Sequence, residues 1–114
     1  MTYKTKALGR EGEQRAADWS VANGYDVVDR NWCCREGELD LVLRKNRTIV
    51  FCEVKTRTTA AYGTPAEAIT HQKRQKLRHL AAKWLDESPV RPRQIRFDVA
   101  AILGGELEIL EGCF

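Results

Sequence analysis

Asp40, Glu53 and Lys55 stand inside two apolar runs, "GELDLVLRK" at 37–45 and "TIVFCEVKTR" at 48–57. Glu53 and Lys55 are two residues apart, so on a strand they share one face. Charges within an apolar strand are costly to bury unless they are paired or bind an ion. A solvated sheet face is the simpler explanation, and the pairing of the two runs bears on the choice. Asn46 and Arg47 read as a two-residue loop that sets Lys45 against Thr48. Leu39, Leu41 and Leu43 then face Val54, Cys52 and Val50, which makes one side wholly apolar. The other side sets Asp40 opposite Glu53 and Val42 opposite Phe51. A three-residue loop would put Leu39 against Glu53 and spoil both sides. Two facing carboxylates repel, an arrangement tolerated mainly where a cation or a shared proton resolves it. Glu38 adds a third acid on the Asp40 face, and Lys55 offsets only part of the charge. A few carboxylate oxygens, with positions left for water and phosphate, describe a Mg²⁺ site.

The elements that would position these groups follow from pattern. "GREGEQRAADWSVANGY" predicts a helix from about residue 9 to 23, closed by Gly24 as a left-handed cap. Glu13 shares a helix face with Ala16, Ala17 and Ser20, small residues suited to close packing on a sheet. Pointing inward there, Glu13 would stand at the sheet's edge; a solvated glutamate near a helix start is the alternative. "YDVVDRNWCC" reads as a strand and "REG" as a turn, followed by the two strands above. After the loop "TTAAYGTP" come a short helix, "AEAIT", and a longer one, "QKRQKLRHLAAKWLDE". Leu77, Leu80, Ala81 and Trp84 form the longer helix's buried stripe. Lys73 continues that stripe one turn earlier, within reach of the same site or snorkelling to solvent. "ESPVRPRQ" breaks the chain, and "IRFDVAAIL" and "ELEILEG" are strands around a Gly104-Gly105 turn. The order predicts an α/β fold with a mixed sheet.

Composition sets the outer bounds. The 114 residues suffice for one domain, 1–114, with a core that needs no covalent staple. Hydrophobic content of 43% beside 31% charged residues predicts a soluble globular chain. No run of 18 apolar residues occurs, and "MTYKTKALGREGE" lacks a signal-peptide core, so a cytoplasmic protein without a membrane partner is expected. A net charge of +3 is compatible with nucleic acid but short of a strong basic footprint. Cys33 and Cys34 are adjacent, Cys52 lies in a strand, and Cys113 adjoins the last residue. Without a CxxC pair, and with His71 and His79 unsuitably spaced, free thiols are expected rather than a structural metal.

The series "GREGE" at 9–13, "GELDLV" at 37–42, "FCEVKTR" at 51–57, "YGTPAEAI" at 62–69 and "RFDV" at 96–99 resembles the YraN family of uncharacterised bacterial proteins. That family is similar to restriction-endonuclease-like nucleases, including archaeal Holliday junction resolvases. The resemblance implies a restriction-endonuclease-like core in αβββαβ order, with a helix acid, a strand Asp and a Glu-x-Lys pair. By position these are Glu13, Asp40, and Glu53 with Lys55. It implies that Asp40 and Glu53 ligate Mg²⁺ or Mn²⁺, with the Val54 carbonyl as a further ligand and Glu13 acting through water or a second ion. Lys55 would orient or deprotonate the attacking water and stabilise transition-state charge. Ser20 departs from the family's usual aliphatic residue, which concerns packing. Glu38 would pair with Arg35 or Arg57 or support the metal. Arg96 and Asp98, alternating with Ile95, Phe97 and Val99, read as structural.

The expected activity is Mg²⁺-dependent hydrolysis of DNA phosphodiester bonds, with branched or recombination and repair intermediates as candidate substrates. Lys73, Arg74, Lys76 and Arg78, with Arg10, Arg15 and Arg57, are candidate phosphate contacts; a solvated helix face is the alternative. Two other readings compete: a nucleic-acid-binding module of nuclease fold with little or no turnover, and an adaptor using the loop at 57–65. DNA is the expected partner. A homodimer is compatible with this reading, and no small-molecule cofactor is expected.

Overall fold

The computed structural model describes residues 3–59 and 69–113, with α1 side chains described from residue 9. The elements are α1 (Tyr3–Ala22), β1 (Asp26–Cys34), β2 (Gly37–Lys45), β3 (Thr48–Arg57), α2 (His71–Glu87), β4 (Gln94–Leu103) and β5 (Glu106–Leu110). They form one five-stranded mixed sheet in the order β1-β2-β3-β4-β5. β3 and β4 are parallel, with α2 in the crossover, and every other pair is antiparallel. The chain therefore has the expected α/β class and a mixed sheet flanked by helices, compatible with a restriction-endonuclease-like core.

α1 begins at Tyr3, earlier than residue 9, because its glycines do not interrupt it. Gly12 lies within the helix, and a β-carbon there would come 2.4 Å from the Thr56 hydroxyl oxygen. The small residues Gly12, Ala16, Ala17 and Ser20 are all buried, which lets α1 lie close against the sheet. Ser20 Oγ donates back to the Ala16 carbonyl at 2.8 Å, so its hydroxyl is satisfied inside the helix. At the far end the Tyr25 N–H reaches the Ser20 carbonyl and the Gly24 N–H reaches Val21. With Gly24 at φ 88°, this is a Schellman stop.

Each sheet face is covered by one helix. On the α1 face, Ala16 and Ala17 pack with Leu41, Leu43, Val50, Cys52 and Ala100. On the α2 face, Leu77, Leu80, Ala81 and Trp84 pack with Leu39, Val42, Ile49 and Phe51. The expected stripe on α2 is the observed one. Thr70 caps that helix by accepting the Lys73 N–H at 3.2 Å. The short helix expected at 66–70 falls mostly outside the described residues, and its two described members, Ile69 and Thr70, are not helical. No helix among the described residues is long and apolar enough to cross a membrane.

Candidate functional site

The β2–β3 ladder has the register expected from side chains: Lys45↔Thr48, Leu43↔Val50, Val42↔Phe51 and Leu41↔Cys52. There it stops. Instead of a backbone pair with Glu53, Asp40 turns its carboxylate toward the gap between the strands, where Oδ2 accepts the Val54 N–H at 2.9 Å. On β1 the residue between the Arg30↔Leu41 and Trp32↔Leu39 pairs is Asn31, at a left-handed φ of 49°. The alternation breaks at this point. Leu39 packs on the α2 face with Val42, not beside Leu41 and Leu43 as a regular strand requires. The expected Leu39–Val54 pairing is thus corrected, because a side chain has taken the ladder bond that would extend it.

This irregularity still brings Asp40 and Glu53 together. Burial, first, and the Glu53 charge, second, push the Asp40 carboxyl up to about 7, against the lowering effect of the Val54 N–H. Asp40 is only 9% exposed. Lys55 Nζ lies 3.4 Å from Glu53 Oε1, both on the face that carries Phe51. A crevice of about 10 Å³ beside the two carboxylates, lined also by Leu77 and Phe97, has room for about one water-sized group. Glu13 is half-buried on α1, with its acidity weakened first by burial and then by the charges of Asp40 and Glu38. Asn31 hydrogen-bonds its carboxylate and acts in the opposite sense. The four residues Glu13, Asp40, Glu53 and Lys55 therefore share one end of the sheet, with Asp40 between the other two acids.

Two close carboxylates with one lysine beside Glu53 suit a hard divalent cation. Among the described residues, no three His, Cys, Asp or Glu side chains stand close enough to hold an ion alone. A Mg²⁺ ion commonly takes one or two carboxylates and completes its shell with water and substrate phosphate, so the donor set of Asp40 and Glu53 fits.

Residues 12–102 match the model of a family described as Uncharacterised protein family UPF0102. The chain belongs to this family. A UPF0102 protein of Beutenbergia cavernae is 52% identical over 97 residues, covering 85% of this chain and 82% of its own length. One from Frankia alni is 52% identical over 96 residues, covering 84% and 80% respectively. A third, from Nocardia farcinica, is 51% identical over 98 residues, with 86% of this chain and 77% of its own covered. Membership in UPF0102 fixes the family; the reaction has to be read from the site.

The candidate phosphate contacts of this UPF0102 chain do not form one stripe. Lys73 reaches the site, where the Lys55 charge is the main cause that lowers its basicity. Arg74 lies close enough to Cys113 for its charge to act on the thiol. Lys76 lies along the β1–β2 turn, its Cε 3.0 Å from where a β-carbon on Gly37 would stand. Arg10 and Arg78 are exposed. Arg15 donates to the Gly105 carbonyl of the β4–β5 turn, whereas Arg57 donates to the Thr56 carbonyl at 3.0 Å and its charge acts on Lys73. Glu38 pairs with neither Arg35 nor Arg57; it accepts the Cys33 thiol at 3.3 Å, its neighbour across β1–β2. All four cysteines are free thiols, as expected. The adaptor loop at 57–65 lies largely outside the described residues.

Asn31 is the residue that sequence reasoning missed. Its signal was present: asparagine is among the few side chains that tolerate the left-handed region, and it interrupts a run otherwise read as regular strand.

Proposed function

We propose that this protein is a Mg²⁺- or Mn²⁺-dependent endonuclease that hydrolyses DNA phosphodiester bonds, with branched or recombination and repair intermediates as its substrates. The observation that carries the reading is the Asp40–Glu53 pair, pressed together where β2 and β3 part, with Lys55 3.4 Å from Glu53. Asp40 and Glu53 would hold the ion, and Glu13 would contribute through water. When bound, the ion would supply a Lewis acid for the phosphoryl oxygens and lower the pKa of attached water. Asp40 is fixed by the Val54 N–H, so its ligating oxygen needs no reorganisation on binding. Lys55 and Lys73 present positive charge at the same end of the sheet, where a phosphate gathers negative charge during displacement. Lys55 would also orient the attacking water, with Glu53 holding its amino group in place.

Purified protein incubated with Mg²⁺ or Mn²⁺ and a panel of linear, flapped and four-way DNA tests the reading. Metal-dependent cleavage of at least one structure is expected. Lys55→Ala should reduce the rate about a hundredfold or more, as removal of a preorganised charge-stabilising group does, while DNA affinity changes by roughly 1 kcal/mol or less. Tight DNA binding with no cleavage of any structure by wild type favours the binding-module reading instead.

A further inference from the structure

At one rung of the β1–β2 ladder both strands change sides together. Arg30 pairs with Leu41; Arg30 is bonded to Gln14 of α1, and Leu41 packs in the α1-face cluster. Trp32 pairs with Leu39 two residues on, and both pack on the α2 face. Regular alternation returns residues i and i+2 to the same face, so the reversal falls on the two residues that the ladder passes over, Asn31 and Asp40. Asp40 bonds the Val54 N–H at 2.9 Å instead. Asn31 takes a φ of 49°, and its side chain hydrogen-bonds the Glu13 carboxylate.

Neither the kink nor packing explains an asparagine there. Glycine adopts the left-handed region at no steric cost, so a kink alone does not call for a carboxamide. Asn31 is exposed, so its side chain fills no core. What the carboxamide supplies is a neutral donor. Glu13 reaches the site from α1, whereas Glu53 and Lys55 lie on the face that α2 covers. The Asp40 and Glu38 charges repel Glu13. Arg30 attracts it, but that guanidinium is bonded to Gln14 at 3.1 Å. A cationic side chain in place of Asn31 would hold Glu13 and also repel a metal ion; an amide N–H₂ holds it without opposing one. We propose that Asn31 is a positioning residue of the metal site, whose carboxamide keeps Glu13 beside Asp40 so that a third carboxylate, acting through water, faces the ion. The inference rests on the metal-dependent reading above and deepens it: the cation is held from both faces of the sheet, through a break that Asn31 and Asp40 make together. Outer partners of this kind commonly contribute about ten- to a hundredfold in metal affinity.

The test measures Mn²⁺ binding to the full chain by isothermal titration, for wild type, Asn31→Gly, Glu13→Ala and the double variant. Asn31→Gly keeps the left-handed backbone and removes only the carboxamide. Each single variant should bind Mn²⁺ about tenfold more weakly, and the double variant no more weakly than either, because both changes remove one shared contribution. Unchanged affinity in Asn31→Gly, or losses that multiply in the double variant, would overturn the proposal. A second readout needs no metal. In ¹⁵N spectra of the metal-free chain, the Asn31 side-chain N–H₂ signals should shift in Glu13→Ala and hold still in Glu11→Ala, a change at an exposed position nearby on α1. Signals indifferent to residue 13 would overturn the proposal as well. Its failure and that of the nuclease reading are distinguishable. Mn²⁺ binding and DNA cleavage that ignore Asn31→Gly remove the role of Asn31 alone. The expected Mn²⁺ pattern without cleavage of any DNA removes the nuclease alone and leaves Asn31 in its role.

Discussion

Asp98 and Asp40 are both buried aspartates on central strands, and their surroundings differ. Asp98 receives a bidentate grip from Arg96, Nε to Oδ1 and a terminal nitrogen to Oδ2, both at 2.8 Å. The Gly112 N–H adds a third bond at 3.0 Å, and the Tyr25 hydroxyl accepts from Arg96 at 2.7 Å. The Asp98 carboxylate in turn raises the basicity of Arg96. Asp40 has one backbone N–H and faces another acid. A fold that can build a complete counter-charge for one buried carboxylate has left the other without one. The first arrangement ties β4 to β1's start and to the chain after β5; the second stores repulsion that a cation can relieve.

If the two aspartates differ in this way, removing them should have opposite effects on stability. Asp98→Ala leaves Arg96 with its main partner gone and the Gly112 N–H unpaired; unfolding in denaturant should show a loss of about 3–5 kcal/mol, the usual cost of breaking a buried pair. A loss under about 1 kcal/mol would remove the structural role assigned to Asp98.

Asp40→Asn should stabilise. The Asp40 carboxyl is raised from 3.8 to about 7 in the fold, so the native state binds the extra proton more tightly than the unfolded chain. The cost of ionising it is absent below about pH 4, grows as the pH rises, and is fully present above about pH 7. Asparagine keeps an oxygen for the Val54 N–H and carries no charge. The variant should therefore be more stable than wild type at pH 8 by on the order of 2 kcal/mol, and equal to it at pH 4. A variant less stable at both pH values would show that the Asp40 carboxylate holds the structure together, as that of Asp98 does.

The contrast between the two sites was only half legible in the sequence. Period-two alternation on both sides of Asn46-Arg47 specified the register from Lys45↔Thr48 to Leu41↔Cys52, because a slip would reverse every apolar side chain. The same logic placed the Gly104-Gly105 turn, where both residues have the positive φ that glycine permits. Alternation could not show that Asp40 takes a backbone bond itself, or that Asn31 adopts the left-handed region beside it. Side-chain to backbone bonds leave no period, so alternation puts Leu39 on the wrong face while still bringing Asp40 and Glu53 together. The start of α1 was misread for a related reason. Gly9 looks like a helix boundary, since glycine weakens a helix by about 0.5–1 kcal/mol relative to alanine, although Gly12 falls inside the helix expected from residue 9. Close packing against Thr56 requires the absent β-carbon at Gly12. The Arg96–Asp98 network was read as structural from alternation, but its partners Tyr25 and Gly112 come from distant segments that no local pattern links.

A smaller effect sharpens the comparison further. At pH 8, Mg²⁺ at roughly five times its Kd should stabilise wild type by about 1 kcal/mol through mass action. Asp40→Asn and Glu53→Gln should each lose most of that increment in thermal unfolding, because both carboxylates contribute to it. An equal Mg²⁺ response in either variant would place the ion elsewhere.

The most direct test is a carbon-detected NMR titration of the Asp40 carboxyl group, with and without saturating Mg²⁺. The account predicts a midpoint near 7 in the free protein, displaced downward by at least a full pH unit when the cation is present, because an ion bound by Asp40 and Glu53 favours their charged forms. A free-protein midpoint near 4 that does not move with Mg²⁺ would contradict it.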